Sequence, residues 1–256
     1  MYSTSSHTLL HPITHKVHES YAKLRTALPL VGRDTVIATI NDAIQTGSCN
    51  TVLVTGETGL GSSSVLSVFC LKNIGFPHFY HFVGCNKGCS ELPAIMNRLL
   101  AQVDAKLKFS NDDRFYYSNL STQKKLAWLV EHLGNREKER FLITIDGLHQ
   151  LANEYYDGSS YLPFHLKWLP DVIPRNVFLL VSARTGPCTA NLMERGYTEV
   201  QCHPFEEPER KQSVKNILHF HLKNMDSNYE PIWRSTYCAN PLYLSLLLHE
   251  IVTSGT

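Results

Sequence analysis

No apolar run in this 256-residue sequence approaches the roughly 20 residues that cross a bilayer as a helix. The longest, Val177–Ala183 and Leu242–Leu248, have the length of core segments. Bias of charge is also missing: 24 Lys and Arg against 23 Asp and Glu leave a net charge of +1. Such a chain has no global basic field with which to attract nucleic acid. The N-terminus, MYSTSSHTLLHP, has neither a positive n-region nor an apolar h-region, so it does not read as a secretory signal. The seven cysteines are odd in number and scattered, which suggests reduced thiols rather than a disulfide framework. G-x-S-x-G and H-E-x-x-H are both absent, which leaves no hydrolase elbow or zincin helix to consider. These absences point to a cytoplasmic protein with no membrane and no nucleic-acid partner.

What is present is enough apolar matter for a buried core, 43% hydrophobic against 18% charged. Two small clusters stand apart. Cys85 and Cys89 have the C-x3-C spacing of half a zinc site, but no second pair follows at finger spacing. His7, His11, His15 and His18 would share one helical face, although Pro12 cannot sit in a helix interior. The expectation for residues 1–29 is a polar leader.

From residue 30 the pattern alternates. Helical spacing marks Asp34–Ile44, Ser62–Leu71, Leu92–Leu107 and the stretch holding Leu126, Leu129, Val130 and Leu133. Short β-rich runs fall at Thr51–Thr55, Phe79–Val83, Phe141–Ile145 and Val177–Val181, with Thr198–Cys202 as an edge candidate. Continuous apolar strands are buried on both faces, which predicts a parallel sheet covered by helices. The fold class is therefore α/β over residues 30–203, followed by a partial helical unit over 204–256 from Glu206–Lys223 and Pro241–Val252.

The segment TVLVTGETGLGSSS runs a hydrophobic strand into a glycine loop and then a helix. Gly56 and Gly61 have the separation of the P-loop pattern, G-x-x-x-x-G-K followed by Ser or Thr. Glycines allow successive N–H groups to turn inward as a phosphate nest, and the helix adds its free amides and positive dipole end. The candidate nucleotide contacts are Gly56, Glu57, Thr58, Gly59, Leu60, Gly61, Ser62, Ser63 and Ser64. Ser63 holds the Mg²⁺-binding position, and Ser62 stands where the pattern has lysine. The loss of that cation removes a charge-assisted hydrogen bond of roughly 1.5–3 kcal/mol. About eighty residues later FLITI ends in Asp146, the arrangement of a Walker B strand whose carboxylate reaches Mg²⁺.

GETGLGSSS, ITIDGLHQL and LKWLPDVIPRNVFLLVSAR, in that order, resemble the NACHT-type branch of the STAND P-loop NTPases. The likeness is to nephrocystin-like and tetratricopeptide-repeat proteins that carry this module, and it covers roughly residues 29–252. It implies an ATP or ADP site with Mg²⁺ held by Ser63 and Asp146. Val31-Gly32-Arg33-Asp34 resembles the family's Gly-Arg-acid motif near the adenine, and Asn240-Pro241-Leu242 resembles its lid-helix start, which adds Val31, Gly32, Arg33 and Pro241 to the candidate contacts. Arg184 falls at the family's sensor position. His149 stands where the family has a second acid to orient water. Two electrostatic aids to phosphoryl transfer are thus replaced.

The expectation is a degenerate nucleotide-binding scaffold with a protein partner and little or no hydrolysis. One alternative is a residual NTPase that uses Ser63 and Asp146 for Mg²⁺ and His149 in place of the acid. The other is an interaction fragment with a vestigial pocket. The resemblance also implies a further arm and repeat array beyond the lid, so the chain reads as a truncated relative.

Overall fold

The computed structural model describes residues 12–72, 74–151 and 166–254. His7, His11 and the side chain of His15 lie outside the described residues. In chain order the elements are α1 Pro12–Arg25, α2 Asp34–Thr46, β1 Thr51–Thr55, α3 Ser62–Leu71, β2 His78–Phe82, α4 Leu92–Leu107, α5 Asn111–Ser118 and α6 Thr122–Gly134. They continue with β3 Phe141–Asp146, β4 Val177–Ala183, α7 Pro187–Glu194, β5 Thr198–Gln201, α8 Glu207–Phe220, α9 Glu230–Arg234 and α10 Pro241–Ser254.

The strands form one parallel sheet in the order β2-β3-β4-β1-β5. Every residue of β3 and β4 is buried, as central strands covered on both faces require. β5 buries only Val200 and forms an edge. Strand side chains alternate between two cores. Leu53, Ile143, Ile145, Leu179 and Val181 face α4 and α6, whose stripes include Ile95, Leu99, Leu126 and Leu129. Val52, Val54, Leu142, Phe178 and Leu180 face α2 and α3 through Ile40, Ile44, Val65 and Phe69. The α/β layering expected from the alternating pattern is what the chain adopts.

Two regions pack outside the layered sheet. Residues Pro12–Arg25, within the stretch expected as a polar leader, form a helix packed beside α3 over Tyr80 and Phe82. Pro12 opens that helix, where its missing N–H costs nothing. Among its described side chains, His18 and Ala22 are buried and Tyr21 packs on Phe82. The second region is α8–α10, which wraps a core of its own from Phe205, Val214, Leu218, Trp233, Leu244 and Leu248. Leu28 and Val31 also pack into this core, so the segment before α2 is joined to the lid helices.

Candidate functional site

The site forms where β1, β3 and β4 end together. Residues 56–61 leave β1 and turn into α3 with Gly59 at φ 89° and Gly61 at φ 93°, left-handed values that favour glycine. A Cβ at Gly59 would lie 2.4 Å from Asn240 Oδ1. The turn is tied internally by Leu60 N–H donating to Glu57 O at 3.2 Å and Ser64 N–H to Gly61 O at 3.0 Å. α3 then presents the unpaired amides and positive end of its first turn beside the loop.

The two consecutive serines serve different strand ends. Ser62, at the lysine position, lies beside the Cys202 thiol just past β5, whose pKa burial raises against the opposing pull of Arg33 and Ser62. Ser63 lies beside Asp146 at the end of β3 and favours the charged carboxylate. Asp146 is fully buried, and burial raises its pKa above the ordinary carboxylate value despite help from Ser182, Ser63 and Arg25. Ser182 Oγ donates to Asp146 Oδ1 at 2.5 Å, and Gly147 N–H donates to Ser182 Oγ at 2.8 Å. Asp146 Oδ2 is buried with no partner among the described residues. A buried acceptor beside a hydroxyl fits the water or hard cation that a P-loop site places there.

His149 follows in the short turn Leu148–Gln150. Its Nδ1 accepts the backbone N–H of Arg184 at 3.1 Å, which ties the turn to the end of β4. Burial and the nearby Arg184 charge lower its pKa, so the imidazole is neutral at pH 7. With Nδ1 occupied as an acceptor, the ring proton sits on Nε2, which can donate but cannot take a proton from water. The geometry therefore argues against His149 as a substitute base. The Arg184 side chain is exposed at the same edge.

Arg33 is 3% exposed and works as a strut. It donates to Leu60 O through Nε at 3.2 Å and Nη2 at 2.8 Å, to His203 O at 2.8 Å and to Gly32 O at 2.7 Å, and it stacks over Phe205. It thus fastens the glycine loop to the segment between β5 and α8. Gly32, at φ 63°, admits the Glu209 carboxylate so closely that a Cβ would fall 2.1 Å from it. Val31 packs into the lid core, and Leu60 is buried against the α2–α3 face. Glu57 and Thr58 are exposed.

Several residues that build the site were not among the candidate contacts. Asn240 Nδ2 donates to Thr58 O at 2.8 Å, while its Oδ1 caps α10 by accepting Leu242 N–H at 3.0 Å and Tyr243 N–H at 3.2 Å. Leu242 N–H also donates to Gly59 O at 3.2 Å. The start of α10 thereby grips two of the loop's carbonyls, Thr58 O and Gly59 O. Asn before Pro241 is a cap signature, so this residue was detectable. Ser182, a lone hydroxyl in an apolar strand, was a second available signal. Tyr21 and Arg25 were not: α1 places both close enough to bear on Asp146, and Ser63 is close enough to influence Tyr21.

No protein-family model matches the chain, and no curated protein matches its sequence. Among solved structures, a Walker-type ATPase of Pyrococcus abyssi is similar with a TM-score of 0.60 and 14% identity, over 89% of this chain and 69% of that one. Cdc6p from Pyrobaculum aerophilum is similar with a TM-score of 0.54 and 14% identity, over 89% of this chain and 62% of that one. Together with the parallel sheet, the glycine loop between β1 and α3 and the carboxylate at the end of β3, these likenesses show that the chain has the fold of the Walker-type P-loop ATPases.

Proposed function

We propose that this chain is a nucleotide-binding module of the NACHT/STAND type that binds ATP or ADP weakly, hydrolyses little or none, and serves as a scaffold for a protein partner. The observation that carries the reading is the left-handed glycine turn at the head of α3 together with the buried Asp146 Oδ2, which lies beside Ser63 and has no hydrogen-bond partner among the described residues. Backbone amides recognise phosphate without any side-chain charge. Ser63 and Asp146 would hold Mg²⁺, which supplies positive charge to the β- and γ-phosphates. Ser62 supplies none, and the lone pair of His149 that could have taken a proton is bonded to Arg184 N–H.

The scaffold half rests on the lid. Tyr237, Leu242, Tyr243 and Leu246 are exposed around a cavity of about 510 Å³ that also touches Thr58 and Asn240. Exposed aromatic and aliphatic side chains grouped beside a ligand loop suit a protein partner whose binding answers to the loop's state.

Phosphate release with Mg·ATP and Mg·GTP tests the catalytic half. The unmodified chain is expected to show no turnover above buffer, whereas Ser62→Lys/His149→Asp is expected to gain it. Comparable turnover by the two chains would overturn the proposal in favour of a residual NTPase.

A further inference from the structure

In the loop that follows β2, Cys85 and Cys89 each come directly after a left-handed glycine, Gly84 at φ 74° and Gly88 at φ 85°. These curl the chain, with Cys89 N–H donating to Asn86 O at 3.1 Å. Both sulfurs meet His18 of α1, which is 1% exposed and more than sixty residues away in sequence. Cys85 Sγ lies 3.5 Å from His18 Nδ1 and 3.7 Å from Nε2, and Cys89 Sγ lies 3.6 Å from Nε2, the nitrogen both sulfurs approach. The three ligand atoms fall within 4.8 Å of one another.

These distances match a metal cage. With zinc bonds of about 2.3 Å to sulfur and 2.0–2.1 Å to nitrogen, a tetrahedral site has sulfur–nitrogen edges of about 3.6 Å. The ligand set is soft and mixed, Cys2His, as zinc and cobalt prefer over magnesium or calcium. A second observation lies directly behind it. His81 is 1% exposed, with its ring centroid 4.5 Å from that of His18. Its Nε2 donates to Cys89 O at 2.8 Å, which leaves Nδ1 as a lone pair, and that atom is buried without a partner among the described residues. A buried imidazole lone pair on the ring that packs against His18 calls for an ion or a water. Cys85 and Cys89 are partly exposed, so an ion can reach them.

We propose that His18, Cys85 and Cys89 bind one zinc-class divalent cation, which clips α1 to the end of β2. Binding releases the two thiol protons as the sulfurs become thiolates. It also requires a proton to move. Phe82 N–H donates to His18 Nδ1 at 3.1 Å, so the ring proton sits on Nε2. Coordination through Nε2 moves that proton to Nδ1 and gives up the Phe82 bond, with a small shift of the ring. The clip has a consequence for the nucleotide site, because α1 also carries Tyr21 and Arg25 to Ser63 and Asp146. Metal at the middle of α1 fixes what the following turns of the helix bring to the loop.

The test is Co²⁺ titration of the full, reduced chain under anaerobic conditions, followed by displacement with Zn²⁺. The expected result is one cobalt per chain, with the thiolate-to-cobalt charge-transfer band and the intense visible bands of a tetrahedral site, lost on adding one equivalent of zinc. Cys85→Ser and Cys89→Ser are each expected to weaken binding by at least about a hundredfold, and Cys49→Ser to leave it unchanged. The absence of the charge-transfer band in the unmodified chain overturns the proposal whatever the variants do. Its persistence in the double serine variant does the same. So does the finding that the oxidised chain holds a Cys85–Cys89 disulfide while the reduced chain binds no cobalt, which would make the pair a redox couple.

Discussion

Ser182 and Asp146 meet across the neighbouring strands β4 and β3, with the serine hydroxyl 2.5 Å from Oδ1 and one backbone amide locked behind it. The contact holds a fully buried carboxylate at the floor of the P-loop. Ser182→Ala removes the donor and leaves Oδ1 unpaired, which is expected to cost about 1–3 kcal/mol in urea unfolding at pH 7. Asp146→Asn has the opposite sign. Because burial raises the Asp146 pKa, the folded chain holds this proton more tightly than the unfolded chain, and stability falls as pH rises from about 4 toward the raised value. The amide escapes that cost. It is expected to stabilise the chain at pH 7 while abolishing the Mg²⁺ dependence of nucleotide binding.

His78 at the start of β2 bonds Thr144 Oγ1 through Nε2 at 2.8 Å, and burial lowers its pKa to about 3. The unfolded chain protonates this group near pH 6.5, and the folded chain does so only near 3. Its contribution to stability is therefore intact above about pH 6.5 and is lost as pH falls through that window, at up to about 1.4 kcal/mol per pH unit. His78→Gln keeps a partner for Thr144 and does not titrate. Urea midpoints at pH 7 and pH 5 are expected to differ less in that variant than in the parent.

Asn240 both caps α10 and grips the loop through Thr58 O. Asn240→Ala is expected to cost about 1–2 kcal/mol and to speed hydrogen exchange at the start of α10. Gly59→Ala strikes the same contact from the other side, since it puts a Cβ at φ 89° against Asn240 Oδ1. It is expected to destabilise the chain, and less so when combined with Asn240→Ala, because the two residues share one contact.

Much of the sheet is legible in the sequence because its strands are short, apolar and bounded. Thr51–Thr55 is found as read, and FLITI and VFLLV lie within strands that run one and two residues further, to Asp146 and Ala183. The run read as Phe79–Val83 is displaced by one, since His78 joins the ladder opposite Leu142. Asp146 was visible as the carboxylate ending an apolar run. Arg33 was visible, yet its role was not, because its acceptors are backbone carbonyls as distant as His203. α5 buries no side chain and rests on the Ser110–Asp113 capping box, so hydrophobic periodicity had nothing to report. His18 shows the limit most plainly. In sequence it belongs to a spaced set of histidines, and only the packing of α1 brings it to Cys85 and Cys89.

The most direct test of the central claim is isothermal titration of the chain and of Ser62→Lys with Mg·ATP and Mg·ADP. If the loop amides are the main phosphate ligand and Ser62 is the missing cation, the unmodified chain binds saturably but weakly. Ser62→Lys then tightens binding by about ten- to a hundredfold, the value of one charge-assisted hydrogen bond. Failure of both chains to bind either nucleotide would contradict the account and leave the pocket as the vestige of a nucleotide site.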